Sequence, residues 1–160
     1  MNNKILPAGI AVSILGLSNA VFAESVDVHF TGTIENVCSI SNEGDGALVK
    51  SPLNPNRITS TPLHGGTMGI VEVFCAGTGT LSVGSPTADE MLGGPYGAGI
   101  WDDPTAGNQV ANDPNQDGNT HTHPANSTST YYVNMFDTTN LPHVPPGDYD
   151  YTVEVTITPD

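Results

Sequence analysis

The chain has 160 residues, enough for one domain and marginal for two. Its formal net charge is -14, with 3 Lys and Arg against 17 Asp and Glu. Nucleic acids, heparin and anionic membranes need clustered cations and are excluded as partners, whereas divalent cations are not.

Residues 1–23 read as a secretory signal. Lys4 supplies the positive start, residues 5–17 are mostly apolar, and Val21-Phe22-Ala23 is an acceptable cleavage triplet. Cleavage after Ala20 is the alternative; Ala23 is preferred because a polar chain begins at Glu24. The apolar run is interrupted by Pro7 and falls short of the ~20 residues that span a bilayer. The expectation is an exported chain, in the periplasm, at the cell surface or extracellular, and not an integral membrane protein. Two cysteines in an exported chain fit one disulfide, Cys38 to Cys75. Closing that loop stabilises the fold by roughly 3–4 kcal/mol in the chain-entropy model.

Residues 24–160 read as a single all-β domain. In residues 26–40, VDVHFTGTIENVCSI, the side chains of Val26, Val28, Phe30, Ile34, Cys38 and Ile40 alternate with polar ones. A period of two predicts an extended strand with one buried and one wet face. Residues 41–46 read as a turn, 47–49 as a short strand and 51–66 as a proline- and glycine-rich connection. Residues 70–75 resume a strand, and 80–83 follow as its hairpin partner. Residues 84–128 are dense in Gly, Pro, Asp and Asn and are expected to be a long irregular insertion. A strand is expected at 130–136, a turn at 140–147 and a last alternating strand at 148–158. Short β-branched runs between turn residues, with no helical periodicity, point to a sandwich or barrel.

The signal, the pattern Val28, Phe30, Gly32, Ile34 and then Cys38, the second cysteine at Cys75, and the close on Gly147-Asp148-Tyr149 resemble a family. The chain is similar to subunits of chaperone–usher fimbriae and to the related spore coat U domain, over residues 25–75 and 146–159. The resemblance implies an immunoglobulin-like (pilin-like) sandwich of about six to seven strands, lacking its final strand, with Cys38 joined to Cys75. It also implies a groove filled first by a periplasmic chaperone and then by the arm of a like subunit, which is recognition by strand addition. Val26, Val28, Phe30 and Ile34 fit that donor arm and equally fit the chain's own first strand.

Other residues carry chemistry by type and spacing. Asp113, Asn115, Asp117 and Asn119, with Gly118, match the start of a calcium loop, in which alternate oxygens wrap a hard cation. Position twelve is Pro124 instead of a bidentate Glu, so an EF-hand is excluded and a plain Asx-rich turn is favoured; Ca2+ remains the one cofactor to test. His121 and His123 face the same way in an extended segment but lack a third ligand for zinc or copper. Tyr96 and Trp101 lie among glycines, where an exposed aromatic can stack on a sugar ring. Asp89-Glu90 and Asp102-Asp103 are the only carboxylate pairs to weigh for glycoside hydrolysis, and no nucleophile or metalloprotease motif accompanies them. An enzyme is not expected. The expected function is a secreted structural or adhesive surface protein. The alternative is a monomeric secreted module that binds calcium or glycan.

Overall fold

The computed structural model describes residues 27–160; the expected signal segment and Val26 lie outside the described residues. The chain divides into two units, Met1–Thr33 and Ile34–Asp160. Of the first, residues 27–33 carry no helix or strand and are exposed. The second is an all-β sandwich of two antiparallel sheets with one disulfide.

Its strands, in order, are β1 (Cys38–Gly44), β2 (Val49–Lys50), β3 (Arg57–Thr59), β4 (Gly69–Cys75), β5 (Gly79–Val83), β6 (Gly93–Trp101), β7 (Gln109–Asn112), β8 (His121–His123), β9 (Ser127–Thr139) and β10 (Val155–Pro159). The long strand β9 organises the larger sheet. Along one edge it pairs β4 and then β3, with β1 beyond β4 and β2 beyond β3; along the other edge it pairs β6, which carries β7. The smaller sheet has the order β10-β5-β8. Alternate side chains of both sheets fill the space between them: Val73, Cys75, Leu81, Val83, Ala98, Ile100, Ala111, Tyr131 and Met135. This follows from strand pleating, which sends every second side chain inward.

Cys38 and Cys75 face each other in the β1–β4 ladder and are joined. A Cβ on Gly79 would lie 2.8 Å from both sulfurs, so the bridge packs on bare backbone at the start of β5. The disulfide thus ties an edge strand of one sheet to its neighbour and also sits against the opposite sheet.

Four expectations need correction. Among the described residues the first strand starts at Cys38: residues 27–37 carry no strand, and Phe30 is 92% and Ile34 95% exposed. Residues 80–83 are not a hairpin partner of β4, since β5 lies in the other sheet and pairs β10 and β8. The stretch 84–128 is not irregular; it contains β6, β7 and β8. The described residues hold ten strands, more than six to seven. The reason for the last two is that β2, β3, β7 and β8 are too short to show alternation, and β6 (GGPYGAGIW) replaces apolar side chains by glycine where neighbours approach its backbone. The final strand is likewise laddered only over Val155–Pro159, although the alternation begins at Tyr149.

Candidate functional site

Among the described residues both sheets end in an unpaired edge, β1 in one and β10 in the other. At the Cys38 end the two edges are tied by Asn36. Its Nδ2 donates to Thr78 O at 2.6 Å and to Asp160 O at 3.2 Å, and its Oδ1 accepts from Gly77 N at 2.7 Å. Ala76 N also donates to Val37 O at 2.9 Å. Away from this tie the edges stand apart, and a groove of about 1120 Å³ opens between them. Ile40, Val71, Val133 and Met135 line it from the larger sheet, and Tyr151, Val153 and Val155 from the chain leading into β10.

The sequence accounts for both walls. Ile40, Val71 and Val133 lie on the inward face of their strands, yet stay half-exposed because no strand covers them. Tyr149, Tyr151, Val153, Val155 and Ile157 keep the predicted alternation and are all only partly buried. Residues 144–154 bear no regular ladder, with one isolated bridge between Thr87 and Thr152. Their main anchor to the larger sheet is polar. The Tyr151 hydroxyl donates to Asp137 Oδ2 at 2.7 Å, and the same oxygen accepts from Leu92 N at 2.8 Å. Burial and the neighbouring Asp137 carboxylate push the Tyr151 phenol far above its usual range.

The 113–119 loop is built differently from a cation cage. Asp113 is wholly buried. Its Oδ1 accepts from Asn115 N at 2.7 Å and from the Ser85 hydroxyl at 3.3 Å; its Oδ2 accepts from Ala98 N and from Gln116 Nε2 at 3.1 Å. The carboxylate therefore joins the loop to β6 through N–H and O–H donors. Gly118 takes a positive φ of 65°, the sharp turn expected of it. Asn115 Nδ2 donates to Ser85 and Asn119 N to Asn112, and Asp117 is exposed. Among the described residues no group of three or more His, Cys, Asp or Glu is placed to hold a metal.

His121 and His123 share a face of β8, as their spacing predicts, and both present edges to Tyr131, at 5.6 and 5.9 Å between centroids. His123 is wholly buried. A carbonyl only accepts, so its Nε2 donates to Ser127 O at 3.1 Å, and in the neutral ring Nδ1 accepts from the Tyr131 hydroxyl at 3.0 Å. Both nitrogens are thus engaged within the fold. Burial first, and then His123, lower the His121 pKa, against a smaller opposite pull from Asp102.

Tyr96 and Trp101 do not share a site. They stand opposite Asp137 and Tyr132 of β9, at positions of unlike parity, and so occupy opposite faces of the sheet. Trp101 instead borders a small outer pocket of about 180 Å³ with Arg57 and Phe136. Asp103 is half-buried, and its carboxyl is held below the usual range by hydrogen bonds from Thr105. The groove edges, the residues tying them and the outer pocket escaped sequence reasoning; the unusual glycines of β6 were the only local sign of the pocket.

No family model matches the chain, and no curated protein matches it either. Among the described residues no helix is long and apolar enough to cross a membrane.

Proposed function

We propose that the protein is an exported structural subunit that assembles with copies of itself by strand addition, each copy lending residues 26–34 to the groove between β1 and β10 of a neighbour. The carrying observation is a matched pair: an exposed segment with apolar residues at every second position, and an open apolar groove bounded by two edges unpaired among the described residues. Val28, Phe30 and Ile34 are 66, 92 and 95% exposed. Burying each in the groove stabilises by roughly 1.5–3 kcal/mol, and main-chain bonds to an edge fix the register. Unpaired edges left open invite non-specific pairing, so a strand that covers them also removes a hazard.

Local geometry favours a second copy over self-filling. A hairpin between the arm and β1 needs a reversal just before Cys38. Asn36 and Val37 there are held by residues 76–78 and by the carbonyl of Asp160, and neither has the positive φ of a tight hairpin turn. Before assembly such a groove requires a cover, and a periplasmic chaperone supplying a temporary strand is the partner that fits an exported subunit. The signal-like residues 1–23 and the formed disulfide support export.

The test uses the purified full chain and a Phe30→Asp/Ile34→Asp variant. Light scattering after size exclusion is expected to show oligomers for the first and monomers for the second. A synthetic peptide of residues 25–36 is expected to bind the variant and raise its melting temperature. A monomeric full chain whose groove takes no peptide would sink the reading.

A further inference from the structure

On the outer face of the larger sheet, away from the inward-facing residues of the groove, β6 and β9 form a second recess. Its floor is the backbone of Gly97 and Gly99, on which the side chains of Trp101, Gln109, Gln116 and Phe136 lie. A Cβ on Gly97 would lie 2.9 Å from both Asp113 Oδ2 and Gln116 Nε2 and 3.0 Å from Phe136 Cε1, and one on Gly99 would meet Gln109 Nε2 and lie 2.8 Å from Trp101 Cη2. The Phe136 and Trp101 rings therefore rest against a glycine floor that no other residue type leaves open. Over Phe136 lies the Arg57 guanidinium, its carbon 3.7 Å from the ring centroid. The Arg57 Nε is buried and has no hydrogen-bond partner among the described residues. Desolvation lowers the Arg57 pKa.

We propose that this recess binds a hexuronic acid, a single sugar ring bearing one carboxylate, with Arg57 taking the carboxylate and Trp101 the ring face. A guanidinium held flat on an aromatic ring presents a fixed fork, and its two terminal nitrogens match the two oxygens of a carboxylate. An indole offers a flat apolar surface to the C–H face of a pyranose. Gln116 Nε2 is committed to Ala98 O at 2.8 Å and Asp113 Oδ2 at 3.1 Å, which fixes the amide and leaves its oxygen for a sugar hydroxyl. Gln109 Nε2 donates to Ala111 O at 3.3 Å and is held at the rim. The recess, at about 180 Å³, is small beside the roughly 300–1,000 Å³ of drug-sized sites, so one ring is the right scale. The net charge of -14 disfavours a polyanion more strongly than a ligand with a single negative group.

Trp101 is the only tryptophan of the chain, so its emission reports this recess alone. Sodium glucuronate titrated into the purified protein at constant ionic strength is expected to give a saturable emission change. Glucose and inorganic phosphate at matched concentrations are expected to give none. Arg57→Gln is expected to weaken binding at least tenfold. Arg57→Lys keeps the charge but not the fork, and is also expected to weaken it severalfold. Gln109→Ala, an exposed rim change, should cost a few-fold with an unaltered melting temperature and keeps the test decisive if either Arg57 variant misfolds. The Phe30→Asp/Ile34→Asp variant should bind glucuronate as the parent does, because assembly is a separate property. No saturable response to glucuronate overturns the assignment, as does equal response to glucose or phosphate, or binding unaffected in all three recess variants.

Discussion

The Tyr151 hydroxyl donates to Asp137 Oδ2 across 2.7 Å, joining the unladdered run before β10 to the central strand of the larger sheet. This bond spans the groove wall. It holds in place a segment that lacks the backbone ladder of a regular strand. Tyr151→Phe leaves Asp137 Oδ2 with Leu92 N as donor but frees the wall, and is expected to cost about 1.5–3 kcal/mol in urea unfolding. Amide exchange at residues 149–153 should speed up more than in β9.

The same phenol makes stability fall in alkali. Its folded pKa is raised above the unfolded value near 10, so the folded chain holds the proton longer. The contribution is complete below about pH 10 and is lost as pH rises beyond it toward the folded value. Tyr131, also raised by burial, adds in the same direction. Melting temperature is expected to decline above pH 10, and less steeply in Tyr151→Phe.

Asp113 behaves as a structural acceptor in this geometry. Asp113→Ala strands donors from Ala98, Asn115 and Gln116 and is expected to destabilise by about 2–4 kcal/mol. The loss should be equal in chelator and in millimolar calcium, measured by thermal unfolding. A loss seen only with calcium present would restore a cation role for residues 113–119.

Removing the disulfide tests the frame. Cys38→Ser/Cys75→Ser opens a link between residues 37 apart and is expected to cost about 2–5 kcal/mol. Because β1 is an edge strand that, among the described residues, pairs only with β4, its amides should lose protection from exchange before those of β9.

Groove and monomer stability should separate at Ile40. Its side chain is 37% exposed and borders the groove. Ile40→Ser is expected to lower monomer stability by about 1–2 kcal/mol, since nearly two-thirds of the residue is already buried, and to leave the monomer folded. It should weaken the binding of the 25–36 peptide at least tenfold. Equal peptide affinity in parent and variant would count against the groove as the docking site.

Sequence alone determined the fold class, the Cys38–Cys75 bridge and the half-buried face of the last alternating run, Tyr149 to Ile157. Each of these rests on local pattern, a period of two or a pair of thiols, that survives any arrangement of the strands. Tertiary structure alone decided which strands pair. β5 left β4 for β10, and the glycine-rich β6 became a neighbour of β9, because a ladder needs backbone groups and a fitting contour and is indifferent to side-chain alternation. Residues 28–34 show the limit most clearly. Their alternation states that one face seeks cover, but only the three-dimensional chain shows that Phe30 and Ile34 are exposed, and that within residues 34–160 an apolar groove lies between two edges left unpaired among the described residues.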